Sequence, residues 1–289
     1  MERYLIMNTD DFGQSTSVNE AIFELLEEQL VSSATIMPCA PGFNEAASWC
    51  IRNKVLNVGL HLTFTSEWPN LRWRSLTHGT SIEDQDGYLY QGCEEFAKHA
   101  REEEVRKEIE AQFEKCINYE LNLSHVDNHM GSLYGIYGEC YLPVVFEYCS
   151  KYGKLPFRFF RNYYKDDSLL GPLESPENLA FFKQISNLAD SMGILTPDYL
   201  LTHPYAPEPE ETYDSFKKMM ITRMYHLPEG ITETYIHPSK ETEELKYINP
   251  TWQRRVNEYR LMGDEDYKYA LKDAGIRMIT YRDIAELQK

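Results

Sequence analysis

The chain has 289 residues, 42% of them hydrophobic and 13% aromatic with 26% charged, a composition that can bury a sizeable core and carries no sign of disorder. A formal charge of −17 opposes binding to nucleic acid or to an anionic membrane surface, both of which need a basic face, and leaves a neutral or cationic small molecule as the expected partner. The first apolar run, Tyr4 to Met7, is too short for a signal-peptide core and no run approaches a membrane span, so a cytoplasmic location is expected. The six cysteines lack any C-x-x-C pair and read as reduced packing residues.

In chain order, Tyr4 to Met7 reads as a buried strand, Asn8 to Ser17 as a polar loop, and Val18 to Gln29 as an amphipathic helix. Val31 to Met37 is β-branched and ends at Pro38, Asn44 to Ile51 is helical, and Val55 to Phe64 is a third strand. Trp68 to Gly92 lacks period and reads as a long excursion over a site mouth, in which Trp68, Trp73, Tyr88 and Tyr90 are read as packing residues before sugar-stacking ones. One charged helix is expected over Glu94 to Leu121, with its Glu, Lys and Arg face solvated. A strand at Leu123 to His129, a helix at Leu142 to Lys151, a strand at Phe157 to Phe160 and a helix at Glu177 to Met192 follow. Further strands are expected at Tyr199 to Thr202, Thr232 to Ile236 and Arg277 to Thr280. No linker or repeat divides the series, which predicts an α/β fold with a single domain over 1–289: a (β/α) barrel of seven or eight parallel strands, distorted or incomplete. An open doubly wound sheet is the alternative.

Such folds place their chemistry at the C-terminal ends of the strands, where Asp10 and Asp11 stand. His61 sits near the end of the third strand. In Ser124-His-Val-Asp-Asn-His129, period-two geometry puts His125, Asp127 and His129 on one face, and burying two imidazoles with a carboxylate is costly unless they bind a metal or each other. An Asp and two His from different strands leave open positions for water and substrate, and imidazole ligands favour Zn²⁺, Co²⁺ or Ni²⁺ over Mg²⁺. His237, before Pro238, is a candidate acid for a leaving amine, and Arg158, a charge inside an apolar strand, a candidate clamp for a site carboxylate; His203 before Pro204 is ambiguous. Esterase, Walker, dinucleotide and zincin motifs are absent from the sequence.

Together, Asn8-Thr-Asp-Asp-Phe-Gly13, Gly59-Leu-His-Leu62, His125-Val-Asp-Asn-His129 and Ile236-His-Pro238 resemble the signatures of the YdjC-like carbohydrate deacetylases, and the similarity runs to Gly275-Ile-Arg-Met-Ile-Thr-Tyr-Arg-Asp283. The resemblance implies a barrel related to polysaccharide deacetylases that hydrolyses the N-acetyl group of acetylated amino sugars with one divalent metal, assigned as Mg²⁺. By position it implies Asp11, His61 and His125 as ligands, Asp10 as base, His237 as acid, and His129 beside the metal or on the substrate. Arg158, read from the residues alone, is expected as a further substrate contact. The chain departs from the pattern at Met130-Gly131, where a further His is usual, and at Pro238-Ser239, where Pro-Gly is. The competing readings are a hydrolase of another amide or of a phosphate ester, and a sugar-binding barrel without turnover. A homo-oligomer is compatible with the sequence.

Overall fold

In the computed structural model residues 2–288 are described; Met1 and Lys289, the outermost residues of the expected domain span, lie outside them. The first strand, β1 (Arg3–Phe12), does not stop at Met7 but continues through the polar run expected as a loop. It can do so because the polar side chains are paired: Asn8 Nδ2 donates to Thr35 Oγ1 (3.0 Å), Ser33 Oγ donates to Asn8 Oδ1 (2.6 Å), and Thr9 Oγ1 donates to the Ser33 carbonyl (3.3 Å). Burial without such partners would cost on the order of 1–3 kcal/mol per group.

After β1 come β2 (Ser33–Ile36), β3 (Val58–Leu62), β4 (Val126–Asn128), β5 (Tyr199–Leu201), β6 (Gly230–Ile236) and β7 (Ile276–Met278). All pair in parallel, in the order β4-β3-β2-β1-β6-β5, and β7 joins β1 as well. The carbonyls of Leu5 and Met7 point to the same edge of β1, where they accept from Ile279 and Ser32, so β7 covers the start of that edge and β2 its end.

The sheet curls until its ends are joined by an irregular segment. Val126 N–H donates to the Pro156 carbonyl, Arg158 N–H to Val126, Phe157 N–H to Leu195, and Asp198 N–H to Ile231. The strand expected at Phe157 to Phe160 is thus reduced to one bridge with Val126, yet it closes a distorted barrel and holds Arg158 inside it. Below the site, Ile6, Ile231, Ile279, Tyr281 and Ile284 seal the interior.

The charged helix departs from expectation in two ways. It breaks into Cys93–His99 and Glu102–Asn118, and its acidic residues are not all solvated. Glu108 is fully buried and accepts from the Leu76 and Thr77 N–H groups (both 2.9 Å) and from Thr77 Oγ1 (2.6 Å), while Gln112 brackets the backbone of Thr63 at 2.8 Å on both sides. The 68–92 excursion is therefore pinned to this helix. Helices at Tyr213–Tyr225, Glu243–Ile248, Trp252–Gly263 and Glu265–Asp273 were not expected. In Trp252–Gly263 the buried positions include Arg254, Arg255 and Glu258, which interrupt the apolar periodicity by which a helix is recognised. Among the described residues no helix is long and apolar enough to cross a membrane.

Replacing Glu108 by Ala removes the acceptor of three hydrogen bonds that hold the excursion, so urea unfolding should show a loss of about 3 kcal/mol, with faster proteolysis between residues 68 and 92. A change within about 0.5 kcal/mol would remove the helix from this role.

Candidate active site and metal centre

At the end of β1 the two adjacent carboxylates part company. Asp11 has φ of 63°, a left-handed conformation costing about 1 kcal/mol outside glycine, and it sends its side chain to different neighbours from those of Asp10. Asp11 Oδ2 accepts from Arg255 Nη2 at 2.6 Å. Its Oδ1 is buried without a hydrogen bond, lying 3.5 Å from His61 Nε2 and 3.1 Å from His129 Nδ1.

The outer nitrogen of each imidazole faces an acid. His61 Nδ1 is 2.6 Å from Asp127 Oδ1, and His129 Nε2 is 2.8 Å from Glu67 Oε2. A carboxylate there fixes the tautomer and leaves the inner nitrogen as a lone pair, the usual arrangement around a metal-binding histidine. One orphaned carboxylate oxygen and two imidazole nitrogens, each within 4.8 Å of the others, thus fit a divalent ion. Asp10, His61 and Asp127 also converge, but Arg158 already neutralises both of those carboxylates.

In the metal-free form the same acids hold protons on the rings. Burial opposes charge on His61, but the neighbouring carboxylates of Asp127 and Asp11 outweigh it and raise the ring to about 9. His129 rises to about 10, burial being outweighed by Glu67 and Asp11. Against burial, Arg255 and His129 hold Asp11 well below the usual carboxylate range, and Arg158 does the same for Asp10.

His125, expected as the third ligand, is not brought to this group. Its ring stacks on Tyr281 (centroids 3.9 Å, 10° between planes), its Nδ1 lies 2.9 Å from Ser124 Oγ, and it fills the space over Gly59, where a Cβ would come within 2.6 Å of the ring. Period-two alternation carries a strand about 6.6 Å forward for each pair of residues, so His125, Asp127 and His129 occupy successive levels. His129, in the turn after β4, stands where His125 was expected.

Arg158, expected to touch substrate, is only 4% exposed and spends its donors inside the protein. Nη1 and Nη2 grip Asp10 at 2.6 and 2.7 Å, Nη2 also reaches Asp127 at 2.9 Å, and Nε donates to Glu233 at 2.8 Å. Asp10 Oδ1 has a second donor in Asn8 Nδ2 (2.9 Å), whereas Oδ2 faces His237 Nε2 across 3.9 Å, too far for a direct hydrogen bond. Glu258 accepts the His237 N–H at 2.7 Å and binds His203 Nε2 at 2.7 Å; burial lowers His237, which is neutral at pH 7. Glu67, Arg255, Glu233 and Glu258 were missed from the sequence; the signal for Arg255 and Glu258 is their i, i+3 spacing on a helix, and nothing marked Glu67.

A cleft of about 630 Å³ opens over Asp10, Asp11, His61 and His237. Trp68, Ile136, Tyr137 and Tyr205 line its rim, whereas Trp73 is buried and Tyr88 packs against Arg72 and Arg74.

The sequence profile described as YdjC-like protein matches residues 4–273. The chain belongs to the YdjC-like family. Its relatives include "Carbohydrate deacetylase 1" of Listeria innocua, 25% identical over 283 residues with 97% of this chain and 99% of that protein covered. The "Carbohydrate deacetylase" of Thermus thermophilus is 27% identical over 285 residues, covering 98% and 94% respectively. A solved structure from Enterococcus faecalis, described as a proposed cellobiose-phosphate cleavage protein, shares the fold with a TM-score of 0.76 at 24% identity over 98% of this chain and 99% of that one.

Two measurements check the centre. Alanine at Asp11, His61 or His129 should weaken Zn²⁺ or Co²⁺ binding by about 100-fold or more, while His125→Phe should bind as the native protein does. Because both rings are protonated at pH 7 in the metal-free form, entry of the ion should release about two protons and affinity should climb as pH rises toward 9–10. Calorimetry in buffers of different ionisation enthalpy reads this directly, and release near zero would contradict the protonated pair.

Proposed function

We propose that the chain is a metal-dependent hydrolase that removes the N-acetyl group from acetylated amino sugars or their short oligosaccharides, the barrel over 1–289 acting as one catalytic domain. The observation that carries the reading is the orphaned Asp11 Oδ1 facing the inner nitrogens of His61 and His129 at the floor of an open cleft. Relatives named carbohydrate deacetylase across nearly the full chain support the substrate class.

Asp11, His61 and His129 would hold the ion; two imidazoles with one carboxylate favour Zn²⁺ or Co²⁺, and the family resemblance favours Mg²⁺. A divalent cation supplies Lewis acidity toward the acetamide oxygen and makes a water acidic enough to attack near neutral pH. Asp10 receives the water's proton. Arg158 keeps it ionised and fixes its direction, and Oδ1 is already doubly bonded, so the lone pair of Oδ2 on the His237 side is the one free to accept. A carboxyl held well below its usual range surrenders a proton readily, so Asp10 is a weak base that needs an acidified water, and then a strong acid. His237 starts neutral and 3.9 Å away, placed to take that proton and hand it to the departing amine. Glu258 holds the His237 backbone so that Nε2 keeps this position.

The test is acetate release from N-acetylglucosamine and its short oligomers by metal-stripped protein, with Mg²⁺, Zn²⁺, Co²⁺ or nothing added back. Metal-restored release, abolished in Asp11→Ala, is expected, and His237→Ala should lower kcat by about 10²–10⁴-fold with metal affinity unchanged. No release from any sugar by metal-loaded protein would move the assignment to another amide, a phosphate ester or simple sugar binding.

A further inference from the structure

Three buried groups beneath the site take no part in this chemistry: Glu233 and His125, both fully buried, and Tyr281, 1% exposed. They are joined in a column. The His125 ring lies flat on Tyr281, the Tyr281 hydroxyl donates to Glu233 Oε2, and Glu233 Oε1 takes the Nε–H of Arg158 at 2.8 Å. Arg158 then divides its terminal nitrogens between Asp10 and Asp127. Gly59 is pressed against the His125 ring as well, where any Cβ would collide.

A guanidinium on a long side chain can rotate about its axis and still satisfy one carboxylate. What fixes its rotation is the donor on Nε, because the five N–H groups share one plane. With Nε committed to Glu233, the Nη1/Nη2 edge must present itself to Asp10 while one Nη2 hydrogen remains for Asp127. Glu233 is itself fixed only by what holds its other oxygen, and Tyr281 does so from the short helical turn Tyr281–Asp283 that follows β7.

We propose that Glu233 is a positioning residue which, braced by Tyr281 and His125, sets the rotation of Arg158 and thereby aims the Asp10 carboxylate. The column acts on Asp10 through Arg158, whereas Asp127, which Arg158 also touches, keeps the Thr35 hydroxyl and His61 as partners and so holds the Asp11, His61, His129 group in place. It accounts for a histidine in the signature His125-Val-Asp-Asn-His129 that stands apart from the Asp11, His61, His129 group, and it makes the geometry of a residue at position 10 depend on one at position 281. The catalytic part of the inference rests on the hydrolase reading above.

The test uses the metal-loaded full chain with Glu233→Gln, Glu233→Leu, Tyr281→Phe and His125→Phe. A displacement of the base by a fraction of an ångström predicts kcat lower by about 30- to 100-fold in Glu233→Leu, partly recovered in the isosteric Gln variant, and by about 3- to 10-fold in Tyr281→Phe, with KM and metal affinity within about twofold of native. His125→Phe keeps the stacked ring and should stay within about threefold in kcat. Since Tyr281 acts through Glu233, the Glu233→Leu/Tyr281→Phe double variant should be no slower than Glu233→Leu alone. Equal kcat in Glu233→Leu and native, losses confined to KM or metal binding, or multiplicative losses in the double variant would each overturn the proposal. A crystal structure of Glu233→Leu gives a readout independent of substrate: Arg158 should no longer grip Asp10 through two bonds. Should the native protein release no acetate, the deacetylase reading fails, and the brace then stands or falls on whether that two-bond grip is lost or kept.

Discussion

Three carboxylates meet inside the barrel, and one guanidinium answers all of them. Arg158, 4% exposed, binds Asp10 through two nitrogens, Asp127 through one and Glu233 through the third. Taking away one partner of a buried ion pair costs about 3–5 kcal/mol, and here a lost arginine would leave three acids facing each other. The interaction also joins the two arms of the site. Asp127, held by Arg158 and by Thr35 Oγ1 at 2.9 Å, fixes His61 through its other oxygen, so the atoms that aim the base also set a ligand's tautomer.

That constraint explains the irregular closure of the barrel. A regular strand between β4 and β5 would place alternate side chains in and out along its length. The 156–161 segment instead makes one bridge at Phe157 and turns away, contributing Arg158 to the interior while Phe157, Phe159 and Phe160 join the hydrophobic core. The left-handed backbone at Asp11 serves the same division: one aspartate turns to Arg158 and its neighbour to the histidines and Arg255.

Much of this was legible in the sequence, and the failures have physical causes. The strand and helix alternation up to Lys151, and the strands near 199, 232 and 277, follow from hydrophobic periodicity, and the convergence of Asp10, Asp11, His61 and His237 on one cleft follows from their places at strand ends. The helices after residue 212 were not, because Trp252–Gly263 turns Arg254, Arg255 and Glu258 inward and so shows no apolar stripe. The choice between His125 and His129 could not be made from alternation, which assigns a face but not a depth. The Glu108 cluster escaped for a related reason: a buried acid satisfied by backbone N–H groups has the same letter as a solvated one.

The most direct measurement is anomalous diffraction at the metal edge from crystals loaded with Zn²⁺ or Co²⁺. The account predicts one strong peak bonded to Asp11 Oδ1, His61 Nε2 and His129 Nδ1 at about 2.0–2.2 Å, with open positions toward the cleft. A peak on His125, or one between Asp10 and Asp127 with Arg158 displaced, would contradict it.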